Sequence, residues 1–151
     1  MEGKAIQDYY PENGAHCFGC GRLNEKGLQI KSYWEGDEAV CRFTPAPQFS
    51  GPPGYAYGGL IASLIDCHSS ATASAARMSQ SGFAPGEGPV ARFVLASLKV
   101  DYLKPTPLGK VLELRGKVKE MSNRKVIVAV TLTAENEIRA KGEAVMVQAK
   151  I

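Results

Sequence analysis

No stretch of the 151-residue chain approaches the roughly 18 consecutive apolar residues that a membrane-spanning helix needs, which argues against a helical membrane protein. The start, Met1-Glu2-Gly3-Lys4 followed by Asp8, Tyr9 and Tyr10, lacks the apolar segment of a signal peptide. Cysteine is sparse. Without a secretion signal, its four copies read as reduced thiols and not as a disulfide framework. No sign of charge dominates, since 18 basic residues face 15 acidic ones, and +3 is too little for a nucleic-acid-binding surface to be the default. Internal repeats and low-complexity tracts are also missing. These absences predict a cytoplasmic protein with no membrane and no nucleic-acid partner.

What is present fits one globular domain. Hydrophobic residues make up 44% and charged residues 22%, enough apolar material for a core and too little charge for disorder. From Leu28, alternation of Leu28, Ile30 and Trp34 with Gln29 and Lys31 predicts a strand. Glu35-Gly36-Asp37 then turns the chain into a second strand around 39–43. A loop rich in Pro and Gly follows. Residues 58–79 alone carry a sustained helical period, with Leu60, Ile61, Leu64, Ile65, His68 and Ala71/Thr72 on one face. After Gly82, Pro85, Gly86, Gly88 and Pro89, four further alternating runs joined by short polar turns predict antiparallel hairpins. Two strands, one long helix and four strands make an α+β domain whose curved sheet wraps the helix. The expected unit spans 1–151, with 1–27 an N-terminal extension and 28–148 the core. A sheet covered by one helix leaves a face or an edge for a partner, so a homo-oligomer is expected.

The helix carries the chemistry. Opposite the apolar stripe lie Gly59, Ala62, Ser63, Asp66, Ser69, Ser70 and Ala73, small residues with a single carboxylate among them. This face reads either as an ordinary solvated surface or as one approached by a ligand or another backbone. Gly58-Gly59 leaves the unpaired amides of the first helical turn accessible to an anion or an oxyanion. Gly59 and Asp66 are seven residues apart, roughly 10 Å along a helix axis. Reacting groups must stand within about 3 Å of their target, so one helix cannot bring both to one carbonyl. Two helices packed antiparallel about a two-fold axis can.

Tyr57-Gly58-Gly59 followed by Asp66 resembles the helix entry of hotdog-fold thioesterases of the phenylacetate-degradation type, whose usual form is His-Gly-Gly with an Asp or Glu seven residues after the second Gly. Leu98 to Gly109, with Tyr102-Leu103-Lys104-Pro105, resembles the strand and turn after that helix. Cys17-Phe18-Gly19-Cys20-Gly21, Asn24 and Gly27-Leu28 resemble the start of a THEM4-like subgroup. The resemblance implies a hotdog fold, edge-to-edge dimers or dimers of dimers, and hydrolysis of an acyl-CoA thioester at a protomer interface. Coenzyme A would be part of the substrate, with no separate cofactor. Carried over by position, Asp66 is the general base or nucleophile, and the amide of Gly58, helped by Gly59, is the oxyanion donor. Tyr57 stands where the family's His is usual, the helper Thr or Ser is Leu95, and Gly51 replaces an Asn used by some members. Ser63, Ser69, Ser70 and Tyr57 are the candidate substrate contacts beside the helix. Between Lys99 and Lys125 eight basic residues face three acidic ones, and Arg124 and Lys125 at a hairpin are the candidates for the coenzyme phosphates. A non-catalytic acyl-CoA-binding or regulatory module is the alternative that Tyr57 and Leu95 leave open.

His16, Cys17 and Cys20 have the spacing of half a zinc site, yet no second Cys/His pair follows, and Cys41, Cys67 and His68 stand alone in the sequence. No metal is therefore expected, and packing is the simpler role. His68, on the apolar stripe, is expected in the core.

Overall fold

In the computed structural model, which describes residues 3–150, one helix lies across one face of a six-stranded antiparallel sheet. Met1, Glu2 and Ile151, the ends of the expected unit, lie outside the described residues. The strands are β1 (Ser32–Trp34), β2 (Ala39–Phe43), β3 (Phe93–Tyr102), β4 (Leu112–Met121), β5 (Lys125–Ala134) and β6 (Glu137–Gln148), and the helix α1 runs Gly58–Gln80. Their order across the sheet is β1-β2-β4-β5-β6-β3, so β1 and β3 form the edges. Every strand touches α1, as a sheet curved around a helix requires.

The alternation that marks the strands is that of a half-buried sheet. Along β5, Val126, Val128, Val130, Leu132 and Ala134 are buried, and Lys125 and Ala129 are exposed. Against them α1 buries Leu60, Ile61, Leu64 and Ile65, each worth about 1.5–3 kcal/mol of transfer free energy. Two strand glycines set how closely the helix approaches. Gly116 of β4 and Gly142 of β6 flank Val130 of β5 in register. A Cβ at Gly116 would press on the Thr72 hydroxyl and the His68 ring, and one at Gly142 would meet Ile65.

The first strand is shorter than the alternation from Leu28 predicts. Leu28 and Ile30 donate their amides to the carbonyls of Phe18 and Gly19 instead, at 2.8 and 2.9 Å, and Gln29 adopts φ 57°. Local pairing with the N-terminal segment thus overrides a strand pattern. That segment, counted above as an extension over 1–27, packs into the same core: Ala5, Ile6, Gln7, Tyr10, Ala15 and Cys20 are all buried. Gln7 donates to Ser32 Oγ (3.0 Å) and accepts the Ser32 amide (2.8 Å). Ser32 Oγ meets His68 Nδ1 at 2.8 Å, and His68 Nε2 lies 3.0 Å from the Ala39 carbonyl. A carbonyl only accepts, so Nε2 carries the proton and Nδ1 accepts from Ser32. Burial holds this imidazole neutral, with its pKa lowered to about 4. His68 is a satisfied core histidine.

The close seat of α1 on β4 predicts that Gly116→Ala destabilises the protein by about 1–3 kcal/mol, measured by urea unfolding. Adding Thr72→Ala removes the colliding hydroxyl. The double variant should therefore lose less stability than the sum of the two single changes.

Candidate active site

At its N-terminus α1 is capped by backbone geometry alone. Tyr57 at the N-cap position (φ −72°, ψ 152°) makes no side-chain capping bond. The amides of Gly58 and Gly59 have no acceptor among the described residues, and both glycines are exposed. The phenol of Tyr102, from the end of β3, donates to the Gly58 carbonyl at 2.8 Å and braces the helix entry against the sheet edge. The Tyr57 ring folds over Gly59, at a distance that leaves no room for a side chain there. Beside this entry opens a cleft of about 330 Å³ lined by Pro52, Tyr55, Gly58, Ile61, Tyr102 and Leu103. Donors without acceptors, at the positive end of a 23-residue helix and beside an apolar cleft that Gly58 lines, suit a developing oxyanion.

Asp66 lies two turns further along. It is half-buried and makes no hydrogen bond or ion pair among the described residues. Burial pushes its carboxyl above the usual carboxylate range, and the neighbouring Cys17 sulfur adds to the effect. A desolvated carboxylate without a cation partner is a more basic group than a surface aspartate. The helix places it roughly 10 Å from the Gly59 amide, as the spacing requires.

The other expected contacts divide. Ser63 is partly exposed, but its hydroxyl is donated back to the Gly59 carbonyl at 2.8 Å. Ser69 and Ser70 do not line an open face, contrary to their placement on the outer side of the helix. Ser69 is wholly buried with no partner for Oγ, and Ser70 donates to the Phe93 carbonyl at 2.8 Å. Around Ser70 the covering elements are the start of β3 and Tyr10 of the N-terminal segment, whose Cys17 and Gly19 also reach Cys67 on the same helix. Arg124 and Lys125 are exposed on the β4–β5 hairpin, which Arg77 grips through the carbonyls of Ser122 and Asn123. Arg77 is 19 residues from Gly58, about 28 Å along the helix, so the hairpin stands at the far end from the entry amides.

Two residues take places that the sequence reading did not assign. Tyr102 belongs to the Leu98–Gly109 strand motif, and its hydroxyl reaches the helix entry because the edge strand ends beside α1. Cys67 looked isolated, yet its sulfur lies 3.8 Å from that of Cys17. The thiols of Cys20 and Cys67, with the amides of Cys20 and Gly19, direct hydrogen bonds at Cys17 and lower its pKa. The same contact with Cys17 raises those of its two neighbours, that of Cys20 to about 12.

One long helix in the concave face of a curved antiparallel sheet is the hotdog fold. Residues 53–141 match the model of the thioesterase superfamily, 89 residues that include the glycine entry and Asp66, and the chain belongs to that family. A thioesterase-superfamily protein from Shewanella loihica PV-4 is similar over 95% of this chain and 99% of its own, at 39% identity and a TM-score of 0.69. A Streptococcus mutans UA159 protein solved bound to acetyl coenzyme A shares the fold, with a TM-score of 0.67, 20% identity, and 85% and 96% of the two chains covered. The acyl-coenzyme A thioesterase THEM4 of Xenopus laevis is 34% identical over 105 residues, 70% of this chain and 41% of that protein. The chain spans about half the length, or less, of the curated relatives it matches.

The burial of the two serines carries a direct expectation. Ser69→Ala should leave unfolding free energy nearly unchanged or slightly raised, because it removes a buried hydroxyl with no partner. Ser70→Ala should cost about 0.5–1.5 kcal/mol in the same urea titration, because it removes the bond to Phe93.

Proposed function

We propose that the protein is an acyl-CoA thioesterase whose site forms between two copies of the chain, Asp66 of one protomer working opposite the Gly58 amide of the other. The observation that carries this reading is the pairing, on one helix, of entry amides without acceptors and a half-buried carboxylate without a partner, too far apart to serve the same carbonyl. The names of the Xenopus relative and the coenzyme A ligand of the Streptococcus neighbour point to the same substrate class. The edge strand β3 supports the assembly, since it ends the sheet and exposes Val94 and Tyr102 about half each. A homodimer, or a dimer of dimers, follows.

The chemistry is hydrolysis. Asp66 takes a proton from water as the water oxygen adds to the thioester carbonyl carbon. The carbonyl oxygen gains the negative charge and is held by the Gly58 N–H, with the Gly59 N–H beside it. Collapse breaks the C–S bond, and the coenzyme A sulfur leaves and is protonated. In the nucleophilic variant an Asp66 oxygen adds first, the C–S bond breaks as the coenzyme A sulfur leaves and is protonated, and water then opens the resulting mixed anhydride to the free acid and the Asp66 carboxylate. Tyr57, folded over Gly59, stands beside the thioester in place of an imidazole. Arg124 and Lys125 reach a coenzyme tail only from the partner protomer, given their distance from Gly58. Expulsion of water by the acyl group would strengthen both the base and the oxyanion contacts.

Three expectations separate this reading from that of a non-catalytic acyl-CoA-binding module. Asp66→Asn should lower kcat in a thiol-release assay by about 10²–10⁴-fold with acyl-CoA binding retained. Gly58→Pro deletes the amide proton at the first helical position, where proline is accommodated, and should cost about 10²–10³-fold, whereas Gly58→Ala keeps the N–H and most of the activity. Unfolding and refolding an equimolar mixture of the Asp66→Asn and Gly58→Pro chains should restore roughly a quarter of wild-type turnover, because mixed dimers carry one intact site of two. No recovery in mixed dimers means that the site lies within one protomer, and wild-type binding with no thiol release favours the module.

A further inference from the structure

Outside the entry cleft and the Asp66 flank, the densest group of reactive side chains is a set of three thiols. Cys17 and Cys20 come from the turn before β1, and Cys67 comes from the middle of α1, 50 residues further on. Their sulfur atoms all lie within 4.8 Å of one another. We propose that Cys17, Cys20 and Cys67 form a site for a thiophilic divalent cation of the zinc type, bound by three thiolates with a fourth position open to solvent beside Cys17.

The distances fit that role. Zinc–sulfur bonds of about 2.3 Å in a tetrahedron set neighbouring sulfurs about 3.8 Å apart. Cys17 Sγ and Cys67 Sγ stand 3.8 Å apart, far longer than the roughly 2.05 Å of a disulfide. Cysteines that serve only as small hydrophobes pack against carbon. Here three sulfurs converge on one another. Cys20 and Cys67 are buried and Cys17 is exposed, so a bound ion would be enclosed on two sides and reachable on the third.

The loop is built to bring the sulfurs together. A Cβ at Gly19 would collide with the Cys67 sulfur, and one at Gly21 would strike the Cys17 backbone and the Ala15 carbonyl. The Gly21 amide closes the turn onto the Cys17 carbonyl at 2.8 Å, and the amides of Leu28 and Ile30 hold the carbonyls of Phe18 and Gly19 from the other side. Two ligands at C-x-x-C spacing on a glycine-tightened turn and a third on a rigid helix need little rearrangement to bind. As each metal–sulfur bond forms, one S–H proton passes to solvent. Three protons leave per ion, and nothing is oxidised or reduced. The ion would pin the N-terminal segment to α1 at the residue after Asp66. This assignment does not depend on the proposed hydrolysis.

The test is metal titration of the whole chain, purified in reductant and freed of metal by chelator. Cobalt(II), a zinc surrogate with visible spectra, should bind at one equivalent per chain with an intense sulfur-to-metal charge-transfer band, and zinc should displace it. Cys17→Ser, at an exposed position that keeps the fold intact by circular dichroism, should weaken cobalt binding at least tenfold. Cys41→Ser, in β2 and away from the cluster, should leave it unchanged. Folded wild-type protein that gives no thiolate band with cobalt overturns the assignment. So does a cobalt affinity unchanged by Cys17→Ser, or a freshly purified chain whose mass shows a disulfide among these three residues.

Discussion

The closeness with which the central helix sits against its sheet governs nearly everything else in this structure. Contact is set at the row where Gly116, Val130 and Gly142 lie side by side on β4, β5 and β6. Helix side chains occupy the two places where strand side chains would stand, Thr72 and His68 over one glycine and Ile65 over the other. Both ends of the helix are positioned by this fit in the middle. Gly58 meets Tyr102 at the edge strand, and Arg77 meets the β4–β5 hairpin. A helix held a side chain's width further from the sheet would lose both end contacts together, because interiors at crystal-like density accommodate such gaps poorly.

A second cover, from the N-terminal segment, gives the helix its unequal outer face. Beyond Asp66, Tyr10 reaches Ser70 and the loop around Cys17–Gly21 reaches Cys67, and the network of Gln7, Ser32 and His68 satisfies every polar atom it encloses. Over the N-terminal half nothing comparable lies on the described chain, and Gly59, Ala62, Ser63 and Asp66 stay wholly or partly exposed. The polar-looking face is therefore two surfaces with opposite fates. Covering the first half removes the helix's remaining buried-surface demand and leaves the second half available to a ligand or another copy of the chain.

How far all this was legible depends on whether the information was local. The helical period over residues 58–79 and the two-residue alternation of β3 to β6 are properties of neighbours in sequence, and the observed elements follow them closely. Gly36 at φ +84° sits in the hairpin that Glu35-Gly36-Asp37 announces. What stayed hidden was set by distant partners. The Leu28–Ile30 stretch alternates like a strand, but its amides are taken by Phe18 and Gly19. Ser69 and Asp66 share a small-residue face in any helical projection, and only packing from elsewhere in the chain decides that one is enclosed and the other is half-buried. Cys67 has no cysteine near it in sequence, and its sulfur neighbours arrive from 50 residues away. Of the candidate residues, Gly58, Gly59 and Asp66 stand where their spacing on one helix puts them, because that spacing is local geometry; the place of Tyr102 was hidden, because its hydroxyl reaches the helix across a sheet edge.

The same geometry constrains how two copies would meet. If the Gly58–Gly59 amides of one helix face Asp66 of another, the two-fold axis passes midway along the segment, at Ala62 and Ser63. These are the small, partly exposed residues of the outer face, and the one hydroxyl between them is already spent on the Gly59 carbonyl. Helices crossing there approach with no bulky side chain to displace and no buried polar group left unpaired. Leu60, Ile61, Leu64 and Ile65 are already committed to the sheet and take no part. In the proposed dimer, the small residues at the crossing and the functional groups to either side would then answer one requirement, that two helices share a short segment closely enough for each to complete the other's site.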